Sequence, residues 1–196
     1  MAAFLFALLA VFVVVTSTTD LSFGLPSSKH GAPLAAAGIR RAFFLDVFFV
    51  GVYFSDSLIA SKKAAIKKPA DFVLLTEGSG SFFGPDATLA LVFKRPVSSS
   101  QVAGTLKASL SASVKDKKAL TNLADIVAKG IGAGVTGGDT LDYVFNGDKC
   151  DVTFNGKVVG TVHSKEIKKA ILMAYVGENS VAPEIPFTLT EKFLKK

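Results

Sequence analysis

Residues Arg40 to Phe54 (RRAFFLDVFFVGVYF) set the tightest limit on what this chain can fold into. After Arg41 the run carries one charge, Asp46, and is dominated by Phe and Val. A β-branched and aromatic run of this length reads as one long strand, or two joined strands, buried on both faces. Gly51 inside it reads as a bulge or a close backbone approach. A sheet with a covered core is therefore required, and the remaining sequence must supply its partners and its cover.

The partners follow along the chain. Asp71 to Gly78 and Ala87 to Lys94 read as strands separated by a turn at Gly84, Pro85 and Asp86. Asp139 to His163 reads as an antiparallel meander, with hairpin turns at Asn146-Gly147 and Asn155-Gly156. The cover is helical. Leu58 to Lys68 is a short amphipathic helix stopped by Pro69. Ser98 to Val114 follows a serine N-cap and turns Val102, Leu106, Leu110 and Val114 to one face. Asp116 caps a helix over Lys117 to Lys129, with Leu120, Leu123 and Val127 inward. Ser164 caps another through Val176, which Gly177 ends, and a short helix near Thr188 to Lys196 closes the chain.

Composition excludes several functions. Two His and one Cys cannot supply the usual ligands of a structural zinc or iron–sulfur site, and a lone Cys150 allows no internal disulfide. Cys150 reads as a buried inert thiol. Gly132 to Gly137 matches G-x-G-x-x-G literally, but a helix precedes it and a strand follows. That order is the reverse of a dinucleotide fingerprint, so it reads as a glycine loop. No cofactor is expected. The formal charge of +6 comes from 19 Lys and only three Arg. The Lys pairs at 62–63, 67–68, 117–118, 168–169 and 195–196 fall on helix outer faces and read as solvated. No nucleic-acid partner is expected.

Residues Met1 to Val15 are wholly apolar, shorter than a bilayer span and of the length of a signal-peptide core. The reading is a targeting segment at 1–19, a Gly/Pro/Ser-rich linker at 20–34 and one α+β domain at 35–196. The leader predicts entry to the secretory pathway or a bipartite route to a plastid. No transmembrane helix is expected in the mature chain, and a monomer is.

Two separated segments together carry a family resemblance. Ala36-Ala37-Gly38-Ile39-Arg40, then Val50-Gly51-Val52-Tyr53-Phe54, resembles the opening of the chalcone isomerase superfamily. Ala170 to Ile185 (AILMAYVGENSVAPEI) resembles its C-terminal helix and turn. Asn155-Gly156-Lys157-Val158-Val159-Gly160 looks like the N-G-K-x-x-G hairpin of its non-plant-type members. The resemblance implies an open-faced β-sandwich: a large antiparallel sheet backed by helices, with a ligand cleft between them.

The family includes isomerases that close a chalcone to a flavanone, fatty-acid-binding proteins and non-catalytic relatives. By motif position Arg40 matches the catalytic arginine. Phe48 stands where the isomerases have a threonine, Ser98 and Thr105 where they have a tyrosine and an asparagine, and Ala174 where they have a second threonine. The arginine is kept while the donors around it change, which suits an acyl chain better than a polyphenol. The fatty-acid-binding members hold a carboxylate with an arginine and a tyrosine, which the resemblance assigns here to Arg40 and Tyr53. The expected partner is thus a fatty acid or similar apolar carboxylate. Two alternatives stand beside it: an isomerase with Arg40 as the electrophile, and a ligand-free interaction module with a filled cleft. At the level of the residues, Arg40 paired with Asp46 and Tyr53 as an ordinary core residue is the bland alternative.

Overall fold

The computed structural model describes residues 24–42, 44–76 and 86–195. The expected targeting segment at 1–19 and the turn at Gly84-Pro85 lie outside them. Seven antiparallel strands form one sheet in the order β1-β2-β3-β4-β7-β8-β9. They are β1 (Ser28–Lys29), β2 (Ala32–Ala42), β3 (Leu45–Phe54), β4 (Ala87–Phe93), β7 (Thr140–Asn146), β8 (Lys149–Phe154) and β9 (Lys157–His163). A separate two-stranded ribbon joins β5 (Val97–Ser98) to β6 (Gly134–Val135). The helices are α1 (Asp56–Lys62), α2 (Ser99–Leu110), α3 (Lys117–Gly130), α4 (Lys165–Val176) and α5 (Glu184–Leu189). The α+β sheet-and-helix architecture expected from the sequence is what the chain forms.

The apolar run resolves into two strands. It starts earlier than its composition indicated, at Ala32, and folds back between Ala42 and Leu45, which pair directly. Alternation then sorts its side chains. Phe48, Val50, Val52 and Phe54 of β3 face the helices, in step with Leu89, Leu91 and Phe93 of β4 and Leu141, Tyr143 and Phe145 of β7. Gly51 is a close approach: a Cβ there would lie 2.9 Å from Cε2 of Tyr53 and 3.0 Å from Cδ1 of Leu34. Register shifts in this pair fall instead between Leu34 and Ala36 and between Arg40 and Arg41 of β2.

The helix caps behave as the sequence indicates. Ser98 and Gln101 form a reciprocal capping box on α2, Asp116 accepts from the Ala119 amide on α3, and Ser164 accepts from the Ile167 amide on α4. Gly38 lets α5 lie against β2, because a Cβ there would come within 3.1 Å of both Ala182 and Ile185.

Three expectations are corrected. Asp71 to Gly78, expected as a strand, instead falls in 3₁₀ turns over Pro69–Thr76, with Phe72 fully buried against the Phe54 and Phe193 rings. Lys168, read as an outer-face lysine, is buried, with its ammonium donating to the Gly147 carbonyl and 3.7 Å from the Asp86 carboxylate. Burial lowers its pKa and the Asp86 charge opposes that shift. The expected linker at 20–34 is structured over its second half. Pro26 accepts from the Tyr53 hydroxyl on β3, and Lys29 reaches Asp142 on β7, so this segment runs across the sheet face away from the helices. Cys150 is fully buried, and burial pushes its thiol far up, as expected of an inert cysteine.

Candidate functional site

One cleft opens between the helix-facing side of the sheet and helices α2 and α4. Its sheet wall is a lateral row set by strand register. Arg40 of β2 pairs with Phe48 of β3, and Phe48 with Phe93 of β4. The Phe48 and Phe93 rings meet edge-on, with centroids 5.7 Å apart. Leu91 and Tyr143 extend the wall inward.

The helical walls follow from spacing. On α2, Gln101, Val102, Thr105, Leu106 and Ser109 share one face. Gln101, Thr105 and Ser109 are solvent-exposed there, so the cleft is open along α2. On α4, Ile171, Ala174 and Tyr175 stand one turn apart and close the other side. The cleft has a volume of about 120 Å³.

Arg40 supplies the positive charge. It is partly exposed, it lines the cleft, and no described residue hydrogen-bonds or ion-pairs with its guanidinium. The Asp46 partner of the bland reading belongs to Arg41, whose Nε donates to Asp46 at 3.0 Å and whose Nη1 donates to Glu184 at 2.8 Å. Those carboxylates raise the Arg41 pKa, the Glu184 hydrogen bond most of all. A guanidinium facing apolar walls without a carboxylate partner favours the approach of an anion.

Two tyrosines missed at the sequence level share the cleft. Burial raises the phenol of Tyr175, and the Arg40 charge partly opposes that rise, which places the two groups in electrostatic reach. Tyr143 is 2 % exposed, and burial raises its phenol well above the ordinary value, with Tyr175 adding to the shift. Both phenols are therefore protonated donors at neutral pH. No described residue is hydrogen-bonded to either hydroxyl. Strand parity carried the signal for Tyr143, since Leu141, Tyr143 and Phe145 form one inward face. Helix spacing carried it for Tyr175, four residues after Ile171.

Of the expected ligand residues, Arg40, Phe48, Thr105 and Ala174 all line this one cleft. Ser98, whose register was also considered, caps α2 and does not line it. Tyr53 does not reach it. Tyr53 lies on the other sheet face, fully buried with Ala32 and Ala90, and its hydroxyl donates to the Pro26 carbonyl at 3.0 Å. The reason is parity: Tyr53 is five residues from Phe48, and strand neighbours at odd spacing point to opposite faces. Tyr53 holds the 24–34 segment onto the sheet. Tyr53→Phe is expected to cost about 1–2 kcal/mol of stability in denaturant titration and to leave ligand affinity unchanged.

The family model for chalcone isomerase-like proteins matches residues 27–185, and the chain belongs to that family. Among solved structures, it is similar to a fatty-acid binding protein of Arabidopsis thaliana (AtFAP1). The two share 18% sequence identity and a TM-score of 0.71 over 86% of this chain and 92% of that one. At that identity the likeness establishes the fold. No curated protein sequence matches this one significantly.

Proposed function

We propose that this protein binds a fatty acid in the cleft, with the carboxylate at Arg40 and the acyl chain between the sheet and helices α2 and α4, and that it does so without catalysis. The observation that carries this is the Arg40 guanidinium, which lines an apolar cleft and has no carboxylate partner among the described residues. Tyr143 and Tyr175 take the donor role that the sequence had assigned to Tyr53. The similarity to a fatty-acid binding protein supports the reading.

Magnitudes divide the work. An acyl chain of medium length, lying between these walls and along the open side of the cleft, buries on the order of ten methylenes. At about 0.8 kcal/mol each, that is about 8 kcal/mol gross, much of which the costs of association cancel. The tail therefore sets affinity, and Arg40 sets orientation and head-group choice. Native mass spectrometry of the purified chain is expected to show a bound fatty acid, and a series of saturated acids is expected to peak at medium length. A chain that carries no acid and binds none of the series contradicts the proposal. Affinity is expected to fall as pH drops through the ligand's own carboxyl range, roughly 4–5. The protonated acid loses its ionic contact with the guanidinium.

A second reading rests on the same three side chains. Arg40, Tyr143 and Tyr175 are the kind of donors that stabilise a phenolate or enolate during closure of a chalcone ring. That reading requires ring closure above the uncatalysed rate and its loss in Arg40→Ala. No rate above background leaves the binding reading alone.

A further inference from the structure

The four hairpin turns described in the sheet are built from different chemistry. Three use the residues that tight turns favour. His30 and Gly31 have φ of 50° and 81° between β1 and β2. Gly147 has φ of 60° between β7 and β8, and Asn155 and Gly156 have φ of 48° and 78° between β8 and β9. The fourth joins β2 to β3. Ala42 pairs directly with Leu45, and Phe44 stands in this turn. Phenylalanine is a poor turn residue, and here it is not repaid by core burial. Phe44 is 99 % exposed, the most exposed large apolar side chain described, and Leu45 beside it is 52 % exposed.

The charge around this tip is also particular. All three arginines of the chain lie at this end of the sheet: Arg40 and Arg41 near the end of β2, and Arg95 just past β4. Lys94 precedes Arg95, and its amide donates to the Val47 carbonyl at 2.9 Å, which fixes the end of β4 beside the base of the hairpin. Arg41 is neutralised by Asp46 and Glu184. Arg40, Lys94 and Arg95 form no ion pair among the described residues. The Lys94 ammonium instead sits 4.5 Å from the centre of the Phe49 ring. An apolar tip with unpaired cations at its base is complementary to a bilayer whose surface is anionic and whose interior is apolar.

The tip adjoins the cleft. Arg40, Val47 and Phe48 line it and stand within a few residues of the turn. We propose that the β2–β3 hairpin docks on an anionic membrane surface, with Phe44 and Leu45 entering the interface and Lys94 and Arg95 meeting lipid headgroups. The cleft then exchanges its acyl ligand with the bilayer at the Arg40 end. The exchange rests on the fatty-acid reading above, whereas the docking stands on the tip alone. No described helix is long and apolar enough to span a membrane, so the contact is peripheral.

The chain has no Trp, so Phe44→Trp in the full chain gives a single local reporter. It separates the tip from the apolar residues 1–15, which can partition independently. With phosphatidylcholine vesicles containing phosphatidylglycerol, the indole emission is expected to shift blue and to be quenched by brominated acyl chains. With pure phosphatidylcholine, or at high salt, both effects are expected to vanish. Adding Lys94→Glu and Arg95→Glu is expected to weaken vesicle binding by at least about tenfold, since each cation near such a surface contributes about fivefold. An indole at Asn146→Trp, at the opposite end of the sheet, is expected to stay unquenched. The docking is overturned if the Phe44→Trp indole ignores anionic vesicles or if Asn146→Trp is quenched equally. It is also overturned if the tip emission shifts blue without lipid in a dimer seen by light scattering, which would assign the tip to a second copy. Fatty-acid binding is measured separately in solution by calorimetry. Docking without acid binding removes the ligand reading, and acid binding without docking removes this one.

Discussion

Arg40→Gln is expected to weaken binding of a fatty acid by about 10- to 100-fold and to leave binding of the primary alcohol of the same length nearly unchanged. The magnitude follows from charge-assisted hydrogen bonds, worth about 1.5–3 kcal/mol each side-chain removal, at a group that water partly reaches. The Arg40 side chain makes no hydrogen bond among the described residues, so its replacement is expected to move the melting temperature little. Calorimetric titration of both ligands against both proteins reads the result. Equal losses for acid and alcohol would mean that Arg40 shapes the cleft without holding the carboxylate.

Ala174→Trp is expected to have a larger effect and a different pattern. Ala174 lies one helical turn from Ile171 and beside Tyr175, on the α4 wall of a cleft of about 120 Å³. An indole there occupies space that the acyl chain needs. Losing about half of roughly ten buried methylenes removes about 4 kcal/mol, so affinity is expected to fall by more than about 100-fold for acid and alcohol alike. The substitution adds bulk to an open cleft and not to the sealed core, so the chain is expected to keep its fold by circular dichroism. A variant that binds the acid normally would place the tail outside this cleft. Comparing the two variants separates head group from tail: the first distinguishes acid from alcohol, and the second does not.

How much of this was legible in the sequence depended on the range of the interaction. The caps at Ser98, Asp116 and Ser164 bond to amides three residues on, so they could be read directly. The meander was legible because Asn and Gly accept the positive φ its turns require. Pro69–Thr76 was misread because a short apolar run such as Phe72-Val73-Leu74-Leu75 has no period that separates a strand from a buried helical turn. Lys168 was misread because its partners, Gly147 and Asp86, lie on other elements.

The site divides the same way. Arg40, Phe48, Thr105 and Ala174 were placed by family motif, and the structure gathers them around one cleft. Tyr53 was assigned by the same resemblance, whereas its odd spacing from Phe48 already placed it on the opposite face. Tyr143 and Tyr175 needed the packing of α4 over β7, a contact between segments some thirty residues apart. Phe44 was legible only as part of an apolar run. Its meaning came from the strand register that set it in a turn.

The central claim is that the cleft binds an ionised carboxylate at Arg40. Carbon NMR of a carboxyl-labelled medium-chain fatty acid, titrated with pH in complex with the protein, tests it most directly. A guanidinium beside the carboxylate favours its charged form, so the bound acid is expected to stay ionised to lower pH than the same acid free in solution, and Arg40→Gln is expected to abolish that shift. A bound carboxyl that titrates at or above the pH of the free acid in the unsubstituted protein would contradict the account.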